Sequence, residues 1–165
     1  SGEADRTKML TIWFSLLDAP IEAGCLRVAP RSHRQGLLPH CPADANRNKK
    51  GGLQIPDEYY DSDGMLPMPT KRGDVLLLTA RTVHDSLPNV SDNIRWSFDL
   101  RYNPIGQATG RASFPGFVAR SATHPDSELH DPETWTQLWT ETRARLADNP
   151  EPAYNRWNVD DFSCA

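Results

Sequence analysis

Gly73-Asp74-Val75-Leu76-Leu77-Leu78-Thr79-Ala80, then Val83-His84-Asp85-Ser86-Leu87-Pro88-Asn89-Val90-Ser91-Asp92-Asn93-Ile94-Arg95, then Trp96-Ser97-Phe98-Asp99-Leu100-Arg101-Tyr102, form an apolar run, a polar turn and an alternating run in succession. The apolar run begins at a Gly-Asp turn and has the length of a strand. Ser, Pro and Asn mark the turn, and strict alternation from Ile94 onward marks a second strand. On this pattern His84 ends one strand and Arg95 opens the next. Antiparallel pairing of the two would bring an imidazole and a guanidinium to the same end of a sheet. An imidazole can hold a metal ion, and a guanidinium can grip a carboxylate through paired hydrogen bonds. The layout suits a metal site with an acidic cosubstrate.

Outward from this centre, Met9 to Leu17 forms an apolar strand expected to be buried on both faces. Asp18-Ala19-Pro20 stops it and Glu22-Ala23-Gly24 turns the chain into a shorter strand, Cys25 to Ala29, ended by Pro30. Residues of about 40–70 are polar, rich in Gly, Pro, Asn and Asp, and without periodicity, as expected of a functional lid or a mobile insertion. A helix is expected over about 131–148, with Asp131 as N-cap and Pro132 in its first position. Its apolar stripe is Trp135, Leu138, Trp139 and Leu146, with Thr142 between, and Asn149-Pro150 ends it. The tail Tyr154-Asn155-Arg156-Trp157 is expected to be tied down by its aromatic residues. Short strands with no helix between them imply antiparallel pairing, so the fold expected is an all-β sandwich or jelly roll with the C-terminal helix packed outside.

Length and composition narrow the function. At 165 residues the chain is expected to be one domain, residues 1–165. A net charge of −4, with Lys and Arg adjacent only at Lys49-Lys50 and Lys71-Arg72, gives no nucleic-acid surface. No apolar run approaches the ~20 residues that span a bilayer, and the first residues carry no signal-peptide core. The three cysteines, Cys25, Cys41 and Cys164, show no CxxC spacing, which argues against a disulfide framework and for a reducing, cytoplasmic setting.

Two stretches resemble a known family. Trp13 to Leu17 followed by Glu22-Ala23-Gly24-Cys25-Leu26-Arg27-Val28-Ala29-Pro30-Arg31-Ser32-His33-Arg34-Gln35-Gly36 resembles the W-x-x-L … NGCL-x-V-x-PGSH-x-x-G stretch of the phytanoyl-CoA dioxygenase family. Gly73-Asp74-Val75, then His84-Asp85-Ser86 and Arg95, resembles its GD … HxS … N-x-S … R stretch. The resemblance covers residues of about 9–103 in order. It implies a double-stranded β-helix that binds Fe(II) through two His and one carboxylate, with 2-oxoglutarate as cosubstrate. Carried over by position, His84 matches the distal iron ligand, Arg95 the partner of the cosubstrate's distal carboxylate, and Ser86 a hydroxyl that helps to hold it. Trp13 matches an aromatic lining the pocket. No catalytic residue beyond the metal ligand is implied. Three facial ligands leave room for a bidentate 2-oxo acid and O₂, and Arg, always charged and fork-shaped, suits the far carboxylate better than Lys.

The sequence departs from that pattern in one respect. The family's His-x-Asp should stand a short way before the Trp13 strand, yet none of residues 1–12 is His. His124-Pro125-Asp126 comes after the distal His and is expected to be a turn in which Asp126 caps backbone groups. The 165 residues are therefore expected to be the C-terminal part of a jelly-roll oxygenase. His33 is expected to be a hydrogen-bonded turn residue, His130 has no assigned role, His40 has none beyond the site contact that its loop, leading toward the lid, leaves open, and Cys25 belongs to the core. Arg95 has a plain alternative, an ion pair with Asp99 or Asp85 on a strand face. Together these features point to an Fe(II)- and 2-oxoglutarate-dependent oxygenase that uses O₂ to hydroxylate a small organic substrate, releasing succinate and CO₂. The alternatives are a cupin-like binding module without catalysis and a related non-haem iron halogenase.

Overall fold

Burial alternates along Leu10–Ser15, the first strand (β1): Thr11, Trp13 and Ser15 are buried, while Leu10 is exposed and Ile12 and Phe14 are half-buried. This is one covered face, where two were expected. The computed structural model describes residues 7–42, 53–109 and 113–148. In it β1 is the centre of a three-stranded sheet, between β6 (Leu76–Thr79) and β8 (Ser97–Tyr102). A second three-stranded sheet places β2 (Leu26–Val28) between β5 (Leu66–Met68) and β7 (His84–Ser86). The short strands β3 (Cys41–Pro42) and β4 (Leu53–Gln54) pair by themselves, and every ladder is antiparallel.

Register assigns the faces. Trp13 stands opposite Leu76 and Asp99, and Ser15 opposite Ser97, so these side chains share one side of the larger sheet. Ile12 stands opposite Leu77 and Leu100, and Phe14 opposite Phe98, on the other side. The Trp13 side is the core side: Trp13 and Leu78 pack with Leu26, Cys25 and Ala19, and Val28, Leu76 and Leu87 close around them. Leu26 and Val28 project from the smaller sheet, so the two sheets share this core. The other side leaves Leu77, Phe98 and Leu100 exposed.

His84 and Arg95 are not on neighbouring strands of one sheet. His84 begins a strand of its own, β7, which pairs with β2, whereas Arg95 does not open a strand as expected but lies in the connection just before β8, which pairs with β1. The turn at Thr79–Thr82, closed by Thr82 N–H donating to the Thr79 carbonyl at 3.1 Å, carries the chain from the larger sheet to the smaller. Residues 87–96 carry it back. The stretch expected as loop over about 40–70 also holds a real strand: β5 pairs with β2 and places Pro67 opposite Arg27. Because β5 is an edge strand, the missing proline N–H leaves no gap in the ladder.

The described residues gather into two units, Lys8–Tyr102 and a second holding Thr7 and the chain from Asn103 on. The second carries α1 (Pro132–Asp148). As expected, Asp131 caps it, its carboxylate accepting from the N–H of Thr134 at 3.0 Å and of Glu133 at 3.3 Å. These hydrogen bonds, with that of the Thr134 hydroxyl foremost, hold the Asp131 carboxyl below its ordinary range. Trp139 meets Phe114 edge-on at 5.5 Å, and Arg145 donates to the Ser113 carbonyl at 2.6 Å. Trp135 remains exposed. Asn149-Pro150 and the aromatic tail at Tyr154 to Trp157 lie outside the described residues. No helix among the described residues is long and apolar enough to cross a membrane. Cys25 is a buried free thiol, but Cys41 is disulfide-bonded, which corrects the expectation from cysteine spacing. An odd count excludes complete pairing, not one pair, and so carries no argument about compartment.

Candidate functional site

His84 is fixed from both sides. Val83, just before it, donates its N–H to the buried Ser32 hydroxyl at 2.9 Å and accepts from the Ala29 N–H at 3.0 Å. In the β2–β7 register His84 stands opposite Val28 and Ser86 opposite Leu26. Both therefore project to the core side, while Asp85 projects away and grips Arg27 at 2.7 and 2.6 Å. The His84 Nδ1 lies 2.8 Å from the Thr82 carbonyl. A carbonyl only accepts, so Nδ1 carries the proton and Nε2 presents its lone pair. That is the tautomer a metal ligand needs, oriented by the backbone in the way ligating imidazoles usually are.

Arg95 spans the two sheets. Its guanidinium carbon lies 5.5 Å from the Trp13 ring centroid, over the indole face. One Nη donates to Ser97 Oγ at 2.9 Å, and the other to Ser86 Oγ at 3.2 Å. Trp13 and Ser97 belong to the larger sheet and Ser86 to the smaller. Among the described residues no carboxylate pairs with Arg95: Asp85 is taken by Arg27, and Asp99 by Arg101 at 3.3 Å. The strand-face ion pair is thus not what the structure contains. A half-buried guanidinium with hydroxyl partners and an aromatic face, but no acid, offers its remaining N–H groups to an incoming anion.

The loop between β7 and Arg95 is built to hold this position. Asn89 accepts from the Ser91 N–H at 3.0 Å and donates to the Asn93 carbonyl at 2.7 Å, closing an Asx turn. Val90 N–H reaches back to the Glu22 carbonyl at 2.9 Å. Gly24, at φ +74°, passes so close beneath that a Cβ there would sit 2.6 Å from the Leu87 carbonyl oxygen.

Four residues singled out from the sequence therefore fall into two neighbouring sets. Trp13, Ser86 and Arg95 touch. His84 shares a strand face with Ser86 and lines a separate small cavity, of which Arg95 is not a wall. Among the described residues no three His, Cys, Asp or Glu side chains are placed to hold a metal ion. His124 and Asp126 form a 3₁₀ turn, Pro125–Ser127, in the second unit. Asp126 caps no backbone group there; the Ser121 hydroxyl accepts from the His124 N–H at 3.0 Å just ahead of the turn. His33 lies in the 3₁₀ turn Ser32–Arg34, but the hydrogen bond that matters there is made by Ser32.

The alternation of the sequence already set Ser97, two residues after Arg95, on the same polar side. Sequence pattern missed Ser32 as a site residue, because its partner is a backbone N–H 51 residues away.

A model of the family described as "Phytanoyl-CoA dioxygenase (PhyH)" matches residues 2–97. The phytanoyl-CoA dioxygenase domain-containing protein 1 homolog of Dictyostelium discoideum is 36% identical over 94 residues, covering 55% of this chain and 33% of that protein. The 1-deoxypentalenic acid 11-beta-hydroxylase of Streptomyces exfoliatus is 34% identical over 105 residues, covering 61% and 37%. The chain thus spans about a third of the length of these curated relatives. Among solved structures, the crystal structure of EvdO2 from Micromonospora carbonacea var. aurantiaca aligns with a TM-score of 0.52 at 28% identity, covering 65% of this chain and 46% of that one.

Proposed function

Because the chain belongs to the phytanoyl-CoA dioxygenase family, we propose that the full-length protein is an Fe(II)- and 2-oxoglutarate-dependent oxygenase that hydroxylates a small organic substrate. The two sheets described are then parts of a double-stranded β-helix. The observation that carries the proposal is the acid-free Arg95 guanidinium, held by Ser86 and Ser97 over the Trp13 ring. A dicarboxylate such as 2-oxoglutarate has a far carboxylate of the size and charge such a fork binds. The similarity to a hydroxylase over 61% of the chain supports the reaction class.

Each residue then has a distinct task. Arg95 binds the distal carboxylate, and the serine hydroxyls fix the plane of its guanidinium. Trp13 covers one face of that guanidinium and keeps water from it, which strengthens the ionic contact. His84 offers Nε2 to iron, with its ring angle set by the Thr82 carbonyl. Iron, 2-oxoglutarate and O₂ together supply the oxidising chemistry, with succinate and CO₂ as co-products. The other iron ligands of this scheme are not among the described residues.

The test is 2-oxoglutarate binding and oxygen-dependent succinate release by the full-length protein. Arg95→Ala is expected to weaken cosubstrate binding by about 30- to 1,000-fold, since it removes one partner of a charge-assisted pair. Excess 2-oxoglutarate should partly restore turnover in that variant and not in His84→Ala. Succinate release indifferent to both changes would refute the assignment. An intact protein that binds no 2-oxoglutarate would favour a non-catalytic binding module, and chlorinated product in place of hydroxylated product would mark a halogenase.

A further inference from the structure

The turn between the sheets borders a half-open cavity of about 140 Å³, and His84 forms part of its wall. Leu37, Leu38 and Ile55 give it an aliphatic lining, His40 lines it as well, and Arg81 completes it on the turn side. The volume is close to that of an apolar cavity of about 150 Å³ that accommodates benzene, so it takes about six non-hydrogen atoms.

Arg81 is presented by a fixed turn. Thr82 N–H donates to the Thr79 carbonyl at 3.1 Å, and the hydroxyls of Thr79 and Thr82 are 2.9 Å apart. Arg81 lies inside that closed turn, two residues after its first member. Its guanidinium has neither a hydrogen bond nor an ion pair among the described residues, and no carboxylate is among those lining the cavity. Leu38 is held in place by its carbonyl, 2.9 Å from His40 Nδ1. The cavity thus has an exposed arginine among its lining residues, hydrocarbon along its length and the proposed iron-binding imidazole on another wall.

We propose that this cavity is the primary-substrate subsite and that it selects a small aliphatic acid. The acid group pairs with Arg81, and the hydrocarbon chain lies along Leu37, Leu38 and Ile55, which brings it beside His84. The inference rests on the proposed oxygenase function and adds the substrate class to it. It also separates two anion sites by role, Arg95 for the cosubstrate and Arg81 for the substrate.

The experiment titrates full-length protein, by calorimetry without turnover, with straight-chain and branched aliphatic monocarboxylic acids and with their primary amides. 2-Oxoglutarate is titrated in parallel. The acids are expected to bind more tightly than the matching amides. Arg81→Gln, an exposed substitution that should leave the fold intact, should lower acid affinity by about 10- to 100-fold, the value of a charge-assisted hydrogen bond. Amide and 2-oxoglutarate affinities should stay unchanged, and Arg81→Lys should recover part of the loss. Equal binding of acids and amides, no binding of either, or acid affinity indifferent to Arg81→Gln would overturn the subsite. A fall in 2-oxoglutarate affinity on Arg81→Gln would overturn it too, by making Arg81 a cosubstrate residue. Failure of the underlying reading is seen separately, as absence of 2-oxoglutarate binding whatever the acids do.

Discussion

Arg31 shows how a single residue can conflict with its own position. It sits at φ +65°, in the left-handed region, where the family stretch it resembles carries glycine. A non-glycine residue there costs about 1–2 kcal/mol, of which glycine's greater chain entropy returns part. The side chain makes no hydrogen bond among the described residues to offset that cost. Arg31→Gly should therefore raise stability by about 0.5–1 kcal/mol, a gain of a few degrees in melting temperature. A lower melting temperature would show that the guanidinium contributes something its position conceals. Arg95 is the opposite case, a residue whose neighbours could be anticipated from pattern. Its charge, its spacing from His84 and its strand periodicity pointed to an anion site, and the structure places Ser86 and Trp13 against it. Pattern could not say which acid, if any, would neutralise it. Asp85 and Asp99 were equal candidates until register gave one to Arg27 and an ion pair at 3.3 Å gave the other to Arg101.

Among the elements, strand existence was easy to read and strand partnership was not. The alternating run begun at Ile94 became a strand only from Ser97 to Tyr102, and the apolar run at Val75 to Leu78 became the strand Leu76–Thr79. What misled was the assumption that a strand, a turn and a strand make a hairpin. Ser32 and Ala29 draw Val83 into the smaller sheet, so that His84 starts a new strand. Those contacts are long-range in sequence and leave no local signal. The β2–β7 crossing also depends on Gly24, where the close Leu87 carbonyl and the positive φ both exclude a side chain. Gly24→Ala should cost about 2 kcal/mol or more, the left-handed penalty plus displacement of the Leu87 backbone. A change below about 0.5 kcal/mol by urea denaturation would mean that the turn relaxes freely. In the second unit, the Asp131 cap carries a pH signature. Its carboxyl titrates below the ordinary range in the folded chain, so its contribution is present above that range and is lost as pH falls through the folded value. Asp131→Asn keeps a capping oxygen but cannot titrate there. Helix content followed by circular dichroism should thus fall more steeply on acidification in the parent than in the variant. Parallel acid curves would remove the cap from the account.

For the molecule as a whole, composition and pattern gave antiparallel β-structure and one late helix but not the division into two sheets, because that division depends on which strands exchange partners. The core that joins the sheets is small: Trp13, Leu78, Leu26, Cys25 and Ala19. Arg95 lies beside it, donating to a serine of each sheet, while β7 and β8 share no ladder. An anion bound at Arg95 would therefore act as a rivet between strands that have no backbone bond in common. A ligand at a hundred times its dissociation constant adds about 2.7 kcal/mol to the state that binds it. Amide hydrogen exchange in the full-length protein should then slow in His84–Ser86 and in Ser97–Tyr102 together when 2-oxoglutarate is added, and in neither strand of the Arg95→Ala variant. Slowing in one strand alone would mean that the guanidinium serves a single sheet. Joint slowing would make the anion itself a structural part of the fold, so that the spacing of the sheets records whether the site is filled.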